Sequence, residues 1–394
     1  MTAAREPQDF DPLIAESFDS PHEVYRELRA RCPVAHSDAW GGFWALTRYA
    51  EVQQALQQSS VFITSVQNVV PRLAFTGRRP PLHLDPPEHT PYRRALNPLF
   101  KPERIARLEP KIRALAASLL QAMIARGGGD LCSDYSSHLT IRVFAEWMDV
   151  PESMVPDLQQ VGRAYNIAVQ SANGEMVRET SLKLYDMARA MIASRRQEPR
   201  DPATDPTAAL LAARIDGAPF PDEMILGTIR QVLVVGIIAP TIVVGSIAVH
   251  LARDPPLQQR LRADLSAMPR AIEEFLRLYT PYRGFARTAN RDVEINGRAI
   301  REGEPIALLY ASANRDEAVF EHADQFDMNR PNIDQHLAFG MGPHMCAGMP
   351  LARLELRIAV EELLKHTRGF ELSGEPTQTR FPEIGALSVP LRFL

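Results

Sequence analysis

The sequence predicts a mainly α fold with a minor β portion, formed as one large domain. Amphipathic runs with apolar residues at helix spacing recur along most of the chain, whereas stretches of strand character are few and short. A third observation is the nearly charge-free run VLVVGIIAPTIVVGSIAV at 232–249, which reads as a helix buried on all sides.

In chain order, residues 1–15 read as a lead-in. MTAAREPQDFDP places acids and prolines where a secretion signal needs an apolar stretch. Helices are expected over 20–32 and 49–59. The run 104–129 repeats the pattern and ends in glycines, as a helix C-terminus should. Further helices are expected over 181–198, 271–279 and 349–367, with a polar, Pro-rich surface loop at 195–207. Strands are expected at 42–47, 285–297, 304–312 and 386–393. No internal repeat is visible and composition does not shift across the loop, so residues 1–394 read as a single domain. The run 232–249 also has the length of a membrane span. Pro240 at its centre, with His250 and Arg253 at its end, favours a core helix.

Bulk properties narrow the function. A chain of 394 residues with 45% apolar and 23% charged residues has an ordinary globular balance. The net charge of −4 leaves no basic footprint for nucleic acid. Cys32, Cys132 and Cys346 lie far apart, which argues against a disulfide framework and for a reducing, cytoplasmic location.

One turn concentrates the chemistry. HLAFGMGPHMCAGMPLARLEL, residues 336–356, sets Cys346 among Gly340, Gly342 and Gly348 at the mouth of an amphipathic run. The glycines permit unusual dihedrals and close backbone approach to a flat ligand. A thiolate is a soft ligand suited to iron. Amides at the following helix N-terminus favour a negative sulfur and are expected to lower the thiol pKa. Residue types alone leave three readings open: an anionic ligand, a Cys–His nucleophile with His344, and a buried structural cysteine.

The pattern Phe339-Gly340-x-Gly342-x-His344-x-Cys346-x-Gly348 resembles the haem-binding signature of the cytochrome P450 family at every fixed position. Glu274 and Arg277, in EEFLRLYTP, resemble that family's Glu-x-x-Arg pair. DPPEHTPYRR at 85–94 resembles the segment entering the helix beside the haem. The resemblance runs from roughly residue 20 to the C-terminus, and the soluble bacterial type fits it best. It implies a triangular, mostly helical domain with haem b between a distal helix over 226–252 and a proximal helix after Cys346. It further implies Cys346 as the iron ligand in a turn shaped by Phe339, Gly340 and Gly348. His89, Arg93, Arg287 and His344 become the haem-propionate partners. The implied activity is a monooxygenase that activates O2 to oxidise a small organic substrate. Electrons would come from a separate ferredoxin and ferredoxin reductase, since no flavin or iron–sulfur segment is present. Arg353 is a candidate for docking them, or simply part of a solvated helix face. The implied protein is a cytoplasmic monomer that binds neither nucleic acid nor membrane.

The distal helix departs from the family. With Gly236 in the glycine position, Ile238 and Ala239 fill the places of the usual acid and alcohol, and Pro240 and Thr241 follow. Thr241 lies about 200° around a regular helix from Ala239 and should face away from the haem. Pro240 cannot donate to the carbonyl of Gly236, and a kink is expected there. Proton delivery then falls to water or to a substrate hydroxyl or carboxyl. The alternatives are peroxide-driven oxidation, radical coupling or a non-catalytic haem sensor. Family topology places Phe62, Val66, Val69, Leu73, Phe75, Tyr165, Ile167, Val234, Ile237 and Phe285 around a substrate from secondary metabolism or an aromatic one. Arg72 and Arg283 are the candidate anchors for an acidic or phenolic group.

Overall fold

The long helix Asp222–Arg253 is the axis of the fold. It packs against the helices Ser137–Met148, Gly174–Gln197 and Met349–His366. In the computed structural model, which describes residues 8–394, the chain is mostly helical, with 55% helix and 12% strand. Among the described residues this helix alone is long and apolar enough to cross a membrane, but 72% of its most apolar window is buried in the protein. An apolar surface all round suits a helix surrounded by other helices. Close approach is built in at Gly236, where a Cβ would stand 2.5 Å from Cδ2 of Phe144. Pro240 does not break the helix, which runs through it to Arg253.

Beside the helices lies a five-stranded sheet in the order Val34–Ser37, Phe43–Leu46, Pro305–Leu308, Phe285–Ala289, Phe62–Ile63. Only the Phe43–Leu46 and Pro305–Leu308 pair is parallel. Phe62, expected at the substrate, is instead 1% exposed and packs into the sheet's own core with Trp44 and Ala289.

Several boundaries differ from expectation. The run 104–129 divides into Pro102–Ala106 and Glu109–Ala125, because Pro110 starts a new helix. Its terminal glycines lead into a short strand, Gly128–Asp130, paired with Pro390–Phe393. The stretch 285–297 leaves the main sheet after Ala289 and forms a hairpin, Val293–Ile295 with Arg298–Ile300. That hairpin turns on Asn296 and Gly297, both with positive φ. The strand expected over 304–312 ends at Leu308, and Tyr310–Ala313 is helical. Ala386–Ser388 and Pro390–Phe393 belong to different sheets. The expected loop 195–207 is shortened at both ends by helices reaching to Gln197 and starting at Pro206, where the Asp205 side chain caps the N–H of Ala208. Of the lead-in 1–15, residues 1–7 lie outside the described residues. By Asp9 the chain is paired: its N–H donates to the His36 carbonyl at 2.8 Å, and its carboxylate accepts the His36 N–H at 2.7 Å.

The helix Met268–Leu278 carries Glu274 and Arg277, both with fully buried side chains. Arg277 Nε and Nη2 donate to the Glu274 carboxylate at 2.8 and 2.7 Å. The remaining guanidinium donors reach the carbonyls of Asn314, Ala323 and Gln325. Glu274 also accepts the N–H of Asp327 and Nε of Arg330. Glu274 thus serves two buried guanidiniums, and backbone carbonyls take up donors of both. Asn314 continues the network: its Oδ1 accepts the N–H of Leu337 at 2.6 Å, at the start of the cysteine turn.

Glu355, on Met349–His366, is the contrasting case. It is buried, its Oε1 has no partner, and burial pushes its carboxyl up to about 8. A raised folded pKa favours folding fully below the unfolded value and loses that contribution as pH rises through the folded value. Glu355→Gln should therefore unfold at higher urea concentration than the parent at pH 8, by about 1–3 kcal/mol, with the difference vanishing below pH 4.5. An equal difference at both pH values would refute this.

Candidate functional site

The cysteine turn is closed by its own backbone. The Cys346 N–H donates to the Phe339 carbonyl at 2.8 Å, and that of Met345 to Gly342 at 3.1 Å. Gly340 and Gly342 hold φ of 68° and 72°, the left-handed region that glycine occupies without cost. Gly342 is also pressed against the chain, since a Cβ there would lie 2.6 Å from the Leu56 carbonyl oxygen. Gly348 does not need that freedom. Its φ is −78°, and a Cβ would meet only ordinary contacts with Phe100 and the Cys346 sulfur.

The Cys346 sulfur accepts the N–H groups of Gly348 and Met349, which open the helix Met349–His366. Cys346 is exposed although protein surrounds it, so it faces an internal cleft. Burial pushes its thiol up, and the two amides with the charges of Arg93 and Arg353 only partly offset that. The expected lowering is thus reversed, because desolvation outweighs the helix N-terminus. His344 is committed elsewhere: its Nε2 lies 3.3 Å from Thr64 Oγ1 and 3.7 Å from Asp85 Oδ1. That leaves little support for a Cys–His nucleophile.

Four groups of positive or hydrogen-bonding character converge on this turn. His89 and Arg93 sit four apart on the helix His89–Leu96 and share a face. The His89 and His344 rings lie 4.4 Å apart. His89 is lowered to about 4, first by burial and then by the positive His344 and Arg93, and its Nε2 has no partner. Arg287 is buried, donates to the Ala286 carbonyl at 2.9 Å and touches the Tyr310 hydroxyl. Among the described residues, neither Arg93 nor Arg287 has a carboxylate partner. Asp85 is the lone acid here. Against its burial, His344 and the backbone and side chains of Thr64 and Ser65 hold its carboxyl well below the usual range. An excess of buried donors opposite an anionic-capable sulfur fits the two carboxylates and the iron of a haem.

On the long helix, Val235 is 48% exposed, and Gly236 and Ala239 are partly exposed. Val235 and Ala239 lie one turn apart on one face, whereas Gly236 is turned towards Phe144. Ile238 and Pro240 are buried. The Thr241 hydroxyl donates to the Ile237 carbonyl at 2.9 Å and lies 3.2 Å from Thr140 Oγ1, so it is used between helices. Ile237 packs on Gly162, and Val234 is buried.

Val66, Val69, Arg72, Leu73 and Phe75 are brought together around a cavity of about 250 Å³. Phe285 joins them through a bridge to Val69. Ile167 is exposed, whereas Tyr165 is buried. Arg283 is not available as an anchor: it is 1% exposed and donates to the carbonyls of Glu383, Ser17 and Thr379. Arg353 is tied to Glu273 at 2.8 and 2.6 Å and lies over the Phe339 ring. Asp85, Thr64 and Tyr310 belong to the site but were not singled out from sequence. Asp85 stood inside the recognised segment 85–94, and nothing local marked the other two.

A family model described as Cytochrome P450 matches residues 139–393. The chain is 30% identical over 405 residues to cytochrome P450-terp of a Pseudomonas species, covering 94% of this chain and 93% of that one. It is 33% identical over 379 residues to the mycinamicin IV hydroxylase/epoxidase of Micromonospora griseorubida, covering 93% of each. The solved structure of the Bacillus subtilis cytochrome P450 PksS superposes with a TM-score of 0.89 at 26% identity, over 97% of this chain and 99% of that one.

The two glycines separate by substitution. Gly342→Ala should destabilise the protein by about 2 kcal/mol or more, from its positive φ and the Leu56 clash, while Gly348→Ala should cost under about 1 kcal/mol. Urea unfolding of both variants checks this. Equal losses would show that the turn's geometry has been misassigned.

Proposed function

The chain belongs to the cytochrome P450 family of monooxygenases, and we propose that it is a cytoplasmic haem b enzyme oxidising a small organic substrate with electrons from a separate ferredoxin and its reductase. The observation that carries this reading is the Cys346 sulfur, held by two amides and facing a cleft where His89, Arg93, Arg287 and His344 have one acid between them. Bound there, haem would supply an iron centre that activates O2 and passes one oxygen atom to a C–H bond.

The protein's own part is positioning and proton control. The Gly348 and Met349 amides would share the negative charge of a thiolate at Cys346, and the turn's own backbone bonds fix the sulfur in place. Arg93 and Arg287, with the two imidazoles, would hold the propionates and so fix the haem plane. The exposed positions of this stretch, Val235 and Ala239, supply no side-chain proton donor. Pro240 leaves the Gly236 carbonyl without its usual helical donor, one acceptor able to hold a water. Protons would then come through water or a polar group of the substrate. The missing acid and alcohol also favour a second reading, peroxide-driven oxidation or radical coupling. The relative named for mycinamicin IV oxidation supports a secondary-metabolite substrate.

The reduced protein treated with carbon monoxide should show the red-shifted band of thiolate-ligated haem, and Cys346→Ser should lose it while staying folded by circular dichroism. A native protein that binds haem without that band would rule out the assignment. Ala239→Thr should raise several-fold the share of electrons recovered in product with a surrogate redox chain. Unchanged coupling would mean that the missing alcohol sets no limit.

A further inference from the structure

We propose that the substrate carries a carboxylate, anchored at a buried corner formed by the guanidiniums of Arg79 and Arg230 with the His83 ring beside them. This rests on the monooxygenase reading and names the substrate class for the same cleft. The segment 74–83 crosses the N-terminal half of the long helix in direct contact. A Cβ on Gly227 would stand 1.9 Å from the Arg78 carbonyl oxygen. Thr76 Oγ1 lies 2.7 Å from Ser181 Oγ, and Ser181 accepts Nη2 of Arg230 at 2.6 Å.

Arg230 is fully buried and Arg79 is 7% exposed. Among the described residues, neither has a carboxylate partner. Arg230 is met by Gln231 Oε1 at 3.5 Å and by the ring faces of Tyr165 and Tyr185 at 5.2 and 5.9 Å. Arg79 reaches the side chain of Tyr165. The buried Nε of both arginines, Nε2 of His83 and the Tyr185 hydroxyl have no hydrogen-bond partner. Elsewhere Arg29, Arg195, Arg277, Arg315 and Arg330 each meet a carboxylate, and the buried Arg283, which does not, spends its donors on three backbone carbonyls. Buried charge is retained where something neutralises it, so the unmatched pair marks where an anion from outside belongs.

The corner opens on the substrate side. Arg79 and His83 line the cavity of about 250 Å³ together with Arg72 and Arg78, and no acid lines it. Arg230 precedes Ala239 by nine residues, about 13–14 Å along the helix at 1.5 Å per residue. The carboxylate therefore sits far from the carbon that is oxidised, and an apolar tail spans the distance towards Val235 and Ala239. A carboxylate suits the corner better than a phosphate: its two coplanar oxygens match a guanidinium fork, and a dianion would cost more to bury.

The test uses haem-loaded full-length protein. Decanoic, dodecanoic and tetradecanoic acids and their methyl esters are titrated while the spin-state change is read in the visible spectrum. At least one acid should bind about tenfold or more tightly than its ester. That preference should fall towards unity in Arg79→Gln and Arg230→Gln, and Arg79→Lys should keep part of it. Equal binding of acid and ester, no response to any acid, or a preference that survives both Gln variants overturns the proposal. Displacement of the acid by inorganic phosphate at lower concentration than by acetate overturns the carboxylate assignment. The reduced carbon monoxide spectrum of the same samples tells the two failures apart. A missing thiolate band sinks the haem reading, whereas a normal band with no acid preference sinks only this inference.

Discussion

The buried pair of Glu274 and Arg277 is the constraint on which the rest of the site depends. Arg277 spends its donors on one carboxylate and on carbonyls of the segment 314–325, so a helix and an irregular stretch are fastened together by fully buried groups. Removing Glu274 would strand the buried guanidiniums of Arg277 and Arg330, at a cost of about 3–5 kcal/mol. Through Asn314 the same network reaches Leu337, and from there the turn runs through two left-handed glycines to Cys346. The position of the sulfur is thus set by a salt bridge more than sixty residues upstream as well as by its own loop.

Charge is distributed unevenly in this interior, and the unevenness is informative. Most buried arginines are answered by acids of the chain itself. Arg287 and the partly buried Arg93 are not, and under the proposed reading they would meet the propionates of a haem. The same principle reads a cofactor edge in one place and a substrate head group in another. The sulfur obeys a related balance, in which desolvation outweighs amides that would favour its ionised form.

What the sequence made legible follows from how local each signal is. The cysteine turn, the Glu274–Arg277 spacing and the segment 85–94 are contiguous patterns, and the helix over 232–249 announces itself by composition. Ser137–Met148 is absent from the expected helices although His138, Arg142 and Glu146 mark one polar edge at a spacing of four, because that edge is narrow and most of the remaining residues are buried. Long strand expectations failed at Ala289 and Val389, where the chain leaves one sheet for another, which no periodicity records. Arg283 and Arg79 look alike in sequence. Only the fold shows that carbonyls surround the first, while Nε of the second is left bare beside a cavity.

The contact of Thr76 with Ser181, and of Ser181 with Arg230, has a consequence for traffic through the wall it fastens. Parting that wall lets water reach two guanidiniums, and resealing it strips the water away again. Hydration favours the parted state, while an arriving anion favours the sealed one. The guest would then act as the latch of its own chamber, and a neutral molecule of the same shape would leave the door ajar.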